Sequence, residues 1–361
     1  MKIVHLTWGL GVGGAEAMLG DIAGAQASAH RVWIIVCNRD IDATVAQVIP
    51  RNVRLVSLAR PRGSANPWYL INLLFRLWWI RPDVVHVHQE SFGRIRKLIP
   101  APALLTVHNT RLPLGKDIAG FDSVCCISEA VRDDVESRFP GCHLRVIYNG
   151  IDFKAVRLKA RYGGSPFRIV QVSRLAHEQK GQDLLIRSLR LVLDRLGEGS
   201  VRLDFIGEGA SLDYLKRLTV ECGVEKRCRF LGGSNRQSIY GSLHEYDLLV
   251  QPSRYEGFGL TVIEGMAAGL PVLASDIEGP KEIIAEGQLG WCFRSEDTLD
   301  LSNRIIELIA LSRQEGFASR MRERAEQART RFDITLTAQR YIEEYVRLAS
   351  RGRNSAPQDL A

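Results

Sequence analysis

The feature that most constrains this chain is an alternation that runs twice. Short β-branched runs recur at residues 2–7, 31–37, 52–58, 84–88, 103–108, 123–128 and 145–151, with helical periodicity between several of them, as at 15–29 and 129–139. Parallel strands cannot be joined by tight hairpins; each return needs a long crossover, usually a helix. The alternation therefore predicts βαβ units around a parallel sheet, not a sandwich or a bundle. It pauses at ARYGGSP, residues 160–166, which reads as a linker. It then restarts, with strands predicted at 167–173, 201–207, 228–232, 247–253 and 271–275, and helices at 182–196, 211–222, 237–243 and 260–268. From Leu299 to Ser350 only helical periodicity remains, and the closing RGRNSAPQDLA reads as a disordered tail. With 361 residues, 45% of them hydrophobic, there is material for two cores. The expectation is two doubly wound α/β domains, 1–163 and 164–334, followed by a helix at 335–350 and a tail at 351–361.

Charge and cysteines narrow the setting. The net charge of +7 falls entirely in the first 160 residues, which carry 20 Lys and Arg against 13 Asp and Glu, while the remainder balances. A basic half favours an anionic partner, such as a membrane surface or a phosphorylated molecule. No nucleic-acid-binding motif accompanies it, so nucleic acid is not expected. The seven cysteines are scattered, with no CxxC pair, as in reduced cytosolic proteins. The opening MKIVHLTWGL lacks the apolar core and cleavage site of a signal peptide. A cytoplasmic enzyme is the expectation.

In open α/β sheets, ligands bind beyond the carboxyl ends of the strands, so the residues there matter most. After the first strand comes GLGVGG, residues 9–14, which satisfies GxGxxG and opens a helix. A dinucleotide reading also wants an acidic residue ending the second strand, and Asp40 is only loosely placed for it. His86 and His88 share one face of their strand and could bind a metal; without a third ligand the pair reads as one residue satisfied by the backbone and one lining a cleft. His108 ends the next strand, placed to touch a substrate. In the second half, Arg174 and Lys180 flank a short loop that opens a helix at Gly181, and together suit a diphosphate. Farther on, Glu256 stands in the glycine-flanked turn YEGFG, and Glu264 lies eight residues later on a helix whose Leu260, Ile263 and Ala267 would face inward. Carboxylates so placed suit vicinal hydroxyls of a ribose or hexose.

These motifs come in a familiar order: GGAE at 13–16, HN at 108–109, SE at 128–129, YNGID at 148–152, SRL and KG within 173–181, FIGEG at 205–209, FLG at 230–232, and Glu256-x7-Glu264. The set resembles the retaining nucleotide-sugar glycosyltransferases of family 4, the glycosyl transferases group 1, across about residues 1–295. The resemblance implies a GT-B fold of two Rossmann-like domains facing a cleft, the first on the acceptor side and the second holding the nucleotide sugar. A last helix, Thr335–Leu348, would cross back to the first domain. By matching position, Arg174 and Lys180 would hold the donor diphosphate, Glu264 the ribose and Glu256 the transferred sugar. The amides of Gly257, Phe258, Gly259 and Leu260 would cradle sugar and phosphate; Gly207 and Leu231 would also lie at the donor. His108 would stand near the reacting sugar, and Gly13 and Gly14 near the phosphate. The chain departs from the family pattern at Glu278-Gly279-Pro280, where a proline replaces a glycine, an expected change to the donor-sugar end of the site.

The resemblance implies no cofactor and no metal: the cosubstrate is a UDP- or GDP-sugar, and front-face transfer with retention is expected. For the acceptor, a saccharide or a lipid-linked saccharide of surface polysaccharide synthesis is the leading class. The segment NPWYLINLLFRLWWIRPD, 66–83, is too short to span a bilayer at roughly 20 residues. Tyr69, Asn72 and Arg76 share a helix face, so it reads as a core helix. The alternative is an interfacial helix with Trp68, Trp78 and Trp79 at headgroup level, beside Arg60, Arg62, Arg81 and the run Arg94-Ile95-Arg96-Lys97. The rival functions are an NAD-dependent oxidoreductase, which leaves the second-half charges idle, a non-catalytic nucleotide-sugar-binding subunit, and an epimerase or phosphorylase of the same fold.

Overall fold

The computed structural model describes residues 1–11, 13–285 and 287–354. The chain divides into two units: residues 1–151 together with the stretch from Ile334 onward, and residues 152–333.

The first unit runs β1 (Lys2–Thr7), α1 (Gly14–Gln26), β2 (Arg31–Asn38), α2 (Ala43–Val48), β3 (Arg54–Arg60), α3 (Trp68–Ile80), β4 (Val84–Val87), β5 (Ala103–Val107), β6 (Ser123–Cys126), α4 (Glu129–Arg138) and β7 (Leu144–Val146). Its sheet is parallel, in the order β3-β2-β1-β4-β5-β6-β7. The central strands are buried along nearly their whole length, as expected for a parallel sheet covered on both faces. Between β4 and β5, and again between β5 and β6, the crossovers are 3-10 turns, Glu90–Leu98 and Lys116–Gly120. Helix α4 begins where Ser128 caps it, its hydroxyl accepting from the Val131 amide at 3.1 Å.

The second unit runs β8 (Phe167–Val172), α5 (His177–Lys180), α6 (Gln182–Leu196), β9 (Val201–Ile206), α7 (Leu212–Glu221), β10 (Cys228–Phe230), α8 (Arg236–Ser242), β11 (Leu248–Gln251), α9 (Leu260–Ala267), β12 (Val272–Ser275), α10 (Glu278–Ile284), β13 (Trp291–Phe293), α11 (Thr298–Leu311) and α12 (Phe317–Phe332). Its strand order, β10-β9-β8-β11-β12-β13, is also all parallel. Both sheets thus reverse direction beside their first strand: β1/β4 in one unit, β8/β11 in the other. Those are the topological switch points, where crossovers part to opposite faces and leave a crevice.

The unit boundary falls earlier than the linker expected at 160–166. Residues 152–163 are tied into the second unit. Arg157 N–H donates to the Tyr240 carbonyl at 3.2 Å, Lys159 N–H to Ala268 at 2.9 Å, and the Tyr162 hydroxyl to Gly269 at 2.7 Å. Lys159 is buried, with its ammonium 3.1 Å from Asp247. The closing helix α13 (Ile334–Asn354) belongs to the first unit, where it packs on α1 and β4. It continues past residue 350, so Arg351–Asn354, expected in a disordered tail, are helical; residues 355–361 lie outside the described residues.

Helix α3, expected as core with an interfacial helix as the alternative, has one buried face and one exposed face. Leu73, Leu77 and Ile80 are buried, while Trp68, Ile71, Phe75, Trp78 and Trp79 are exposed, Trp79 at 71%. The polar residues do not form the solvent face: Tyr69, Asn72 and Arg76 are half-buried, and Arg76 donates to Asn72 one turn away at 3.0 Å. Arg76 and Asn72 satisfy each other, and the water-facing side is left to aromatic rings and Ile71.

Candidate functional site

In the second unit the switch point gathers charge. Lys180 ends α5, in the loop after β8. Gly181 follows it at φ 63°, where an added Cβ would stand 1.9 Å from the Pro252 carbonyl oxygen. Only glycine lets these backbones meet. Beside that approach, the Arg254 amide donates to the Gln179 carbonyl at 2.8 Å. The Arg254 guanidinium forks onto Asp183 at 2.8 and 2.9 Å and reaches the His177 carbonyl at 2.6 Å and Glu296 at 2.5 Å. Those carboxylates hold its pKa above the ordinary guanidinium value. The β11–α9 turn is thereby strapped to the β8–α6 loop, which brings Glu256 onto Lys180 as an ion pair. The Glu256 carboxylate also accepts from Gln251 at 3.4 Å, and Gln251 in turn accepts from the Thr261 hydroxyl at 2.9 Å.

Arg174 lies in the same loop. It is exposed, with one contact to Gln179 at 3.3 Å, and its carbonyl is held by Gln182 at 2.9 Å. Gly207, at the end of β9, sits against Ser173 and Arg174, and its amide donates to Gly232 at 2.8 Å beside the exposed Leu231. In the turn, the Phe258 ring is buried against Phe332, so that side chain anchors the turn while the backbone shapes it. Gly259, at φ 109°, caps α9, its carbonyl accepting from the Val262 amide at 3.0 Å. Leu260, expected to face inward, is only half-buried, whereas Ile263 and Ala267 are core.

Glu264 is buried to 7% exposure, with its carboxylate 3.6 Å from the Arg236 Nε. The sequence reading missed Arg236; the signal was the Asn235 cap that opens α8 beside it, its side chain accepting from Ser238 at 2.8 Å. The departure at Pro280 is harmless to the backbone, since it falls in the first turn of α10, where proline costs no helical hydrogen bond. Gly279 beside it is the constrained position. A Cβ there would stand 2.5 Å from the Glu256 carbonyl oxygen, so α10 is pressed directly onto the Glu256–Phe258 turn.

The first unit's switch point gathers imidazoles beside the glycines that open α1. Gly13 caps α1 and Gly14 begins it; the Glu16 carboxylate folds back to within 2.4 Å of where a Gly13 Cβ would be. Leu10 is hydrogen-bonded to Asp40 and Asp42 through the backbone, and Asp40 faces Arg62 at 3.8 Å. His86 and His88 do acquire a third imidazole, His5 on the neighbouring β1, and the three have ring nitrogens within 4.8 Å of one another. Neither residue leans on the backbone as expected: His86 contacts the Tyr345 hydroxyl at 2.6 Å and Thr106 at 2.7 Å, and His88 contacts His5 at 3.1 Å. His108 joins the group, its Nε2 3.2 Å from His88 Nδ1. Burial pushes His5 and His108 down to about 4, and His86 and His88 well below the usual imidazole value.

Residues 154–328 match the family model of glycosyl transferases group 1, and residues 12–155 that of glycosyltransferase family 4. The chain belongs to the group 1 glycosyltransferases. An uncharacterized glycosyltransferase of Methanocaldococcus jannaschii is 27% identical to this transferase over 332 residues, covering 79% of this chain and 83% of that one. A GDP-mannose-dependent alpha-(1-6)-phosphatidylinositol monomannoside mannosyltransferase of Mycolicibacterium smegmatis is 27% identical, over 69% and 66% of the two chains. Anabaena HepE, solved with UDP and glucose, superposes with a TM-score of 0.79 over 96% of this chain and 99% of that one; at 21% identity this likeness speaks for the GT-B fold. The transferase has, among its described residues, no helix long and apolar enough to cross a membrane.

Proposed function

We propose that this transferase moves a sugar from a UDP- or GDP-sugar to an acceptor hydroxyl, with retention at the anomeric carbon and without a metal ion. One observation carries the reading: the β8/β11 switch point collects a guanidinium, an ammonium and two carboxylates on two strapped-together loops and on α9, the helix that follows the second. Arg174 and Lys180 suit the diphosphate and supply the positive charge that a metal would otherwise bring. Glu264, oriented by Arg236, suits the ribose hydroxyls; Glu256 suits the transferred sugar. A diphosphate arriving at Lys180 competes with Glu256 for the ammonium and releases carboxylate oxygen for hydroxyls, so the two ends of one donor are recognised together.

In the transfer, the bond from the anomeric carbon to the phosphate oxygen breaks and its electron pair stays on the diphosphate. The acceptor oxygen bonds to the same face, and its proton passes to the departing phosphate oxygen. Charge grows on the diphosphate, so fixed cations there favour the transition state over the ground state. Among the relatives, one is named for GDP-mannose and one structure holds UDP and glucose. A thermal-shift panel of UDP- and GDP-sugars tests donor binding, because a ligand that binds only the native state raises its stability. NMR of the product tests the anomer. No stabilisation by any donor, or an inverted anomer, overturns the reading.

For the acceptor we favour a lipid-linked saccharide, met by a cytoplasmic enzyme at the inner membrane surface. The supporting observation is α3, where Trp68, Ile71, Phe75, Trp78 and Trp79 form one exposed stripe opposite the buried Leu73, Leu77 and Ile80. Thirteen residues make a helix about 20 Å long, too short to span and suited to lie in the interface. Arg81 stacks over Trp78 at 5.9 Å, and Arg62, Arg94 and Lys97 are exposed on the same basic unit. Arg96 is withdrawn from that set by its ion pair with Asp122. Flotation with anionic vesicles at low salt tests the surface; protein left at the bottom of the gradient counts against it.

A further inference from the structure

The imidazole group at the β1/β4 switch point has a property that neither a packed core nor the donor chemistry requires. Four of the chain's eight histidines, His5, His86, His88 and His108, meet there, and their hydrogen bonds all trace back to the amide of Gln26. That amide offers a carbonyl oxygen on one side and an NH2 on the other, so each side fixes the direction of the chain attached to it.

On the carbonyl side, Gln26 Oε1 lies 2.9 Å from His5 Nε2, which must therefore carry its proton there. His5 Nδ1 is then a lone pair and can only accept, from His88 Nε2 at 3.1 Å. By the same step His88 Nδ1 accepts from His108 Nε2 at 3.2 Å. On the amide side, Gln26 Nε2 donates to the Tyr345 hydroxyl at 3.3 Å. Tyr345 donates to His86 Nδ1 at 2.6 Å, His86 Nε2 to Thr106 at 2.7 Å, and Thr106 to Tyr341 at 3.0 Å. Every link has one proton and one lone pair. A single nitrogen of the four rings is left over: His108 Nδ1, buried and without a hydrogen-bond partner among the described residues.

We infer that Gln26, His5 and His88 form a tautomer relay that presents His108 Nδ1 as a fixed acceptor for a hydroxyl group of the saccharide substrate. Resting on the sugar-transfer reading above, this adds what that reading leaves open: which sense of hydrogen bond His108 makes, and what enforces it. His5 and His88 are positioning residues that act through His108. His108 is half-buried where β5 ends, while its Nδ1 is shut from solvent and unpaired among the described residues, so an arriving hydroxyl satisfies a nitrogen that water does not. A neutral ring in this setting is a weak base; it accepts a hydrogen bond and does not take the acceptor's proton. That agrees with leaving the proton to the departing phosphate.

If the Gln26 amide were turned over, all four rings would carry their proton on Nδ1, and His108 would donate. A divalent cation held by His5, His86 and His88 would break the relay, since it would take the lone pairs that carry the hydrogen bonds.

The deciding experiment is 15N–1H correlation NMR of the full chain labelled at histidine, at neutral pH, with His108 assigned by its loss in His108→Gln. The expected result is a bare Nδ1 and a protonated Nε2 on His5, His88 and His108. A protonated Nδ1 on His108, an imidazolium, or a stoichiometric bound metal in elemental analysis of the same sample overturns the proposal. None of these readings needs turnover, so the relay can fail while sugar transfer stands, or survive when no donor sugar is accepted. Turnover supplies the second arm. His88→Phe keeps a ring but breaks the relay, and is expected to lower kcat/KM roughly 3–10-fold, the scale of one neutral hydrogen bond. His88→Gln, which can still accept from His108, should recover most of it. Equal losses in both variants would mean the ring matters only as filler.

Discussion

Both units reverse strand order beside their first strand, yet the two switch points are built from opposite materials. At β8/β11 the loops carry ions: an exposed Arg174, the Lys180–Glu256 pair and the Arg254 fork on Asp183. At β1/β4 the crevice is filled with uncharged imidazoles, an amide and two tyrosines from α13. The same topology thus yields a charged grip in one half and a neutral hydrogen-bond chain in the other. The difference follows from solvent. The β8/β11 side chains keep partners and partial exposure, whereas desolvation at β1/β4 lowers the histidine pKa values and favours the neutral rings.

The largest expected consequence is in acid. His5 and His108 have folded values of about 4, against an ordinary value of 6.5 that they regain on unfolding. Between those limits the unfolded chain binds more protons, so stability falls as pH drops from about 6.5 and this contribution levels off near pH 4. Each residue contributes on the order of 1.4 kcal/mol per pH unit in that window. The first unit should therefore lose protection in amide exchange before the second does as the solution is acidified. Simultaneous loss, or a first unit indifferent to pH, would break the contrast.

Next in size is Arg174→Ala. Removing a preorganised cation from developing phosphate charge should cost on the order of 10²-fold in kcat while leaving the melting temperature near its original value. Turnover like that of the parent protein would remove Arg174 from the chemistry. A smaller effect is expected for Glu264→Gln. It trades a charged acceptor for a neutral one, about 1.5–3 kcal/mol of hydrogen bonding at most. This should appear as weaker nucleotide affinity by calorimetry, about tenfold, with the larger share in KM. Smallest in stability is Trp79→Ser on α3: an exposed side chain whose loss should stay within about 0.5 kcal/mol in denaturant melts while vesicle binding falls. A large stability loss would mean that the α3 stripe is covered within the protein.

How far the site could be read in advance differs between the two regions. The Lys180 loop and the Glu256–Glu264 turn were visible because each lies within a few residues of sequence, at a strand end marked by glycine. Their meeting was not, because it depends on Gly181 backing onto Pro252 and on Arg254 reaching Asp183 and Glu296. Arg236 escaped notice for the same reason: its partner Glu264 is 28 residues away, and only the sheet brings α8 and α9 side by side. The three-residue strand β13, Trp291–Phe293, is too short to show a period. At β1/β4 more was hidden. His86 and His88 were noticed as a pair, but His5 lies some 80 residues earlier and joins them only because β1 pairs with β4 in register, His5 opposite His86.

By itself, the sequence determined the parallel α/β architecture, since alternating strand and helix periods admit few other packings, and it placed glycines and charges at the strand ends. Tertiary structure alone decided the state of those groups. It paired Lys180 with Glu256, desolvated four imidazoles so that their second proton is disfavoured, and turned the aromatic side of α3 toward solvent. The reason is that periodicity is a property of neighbours along the chain, whereas desolvation and hydrogen-bond direction are set by whatever the fold brings across the gap.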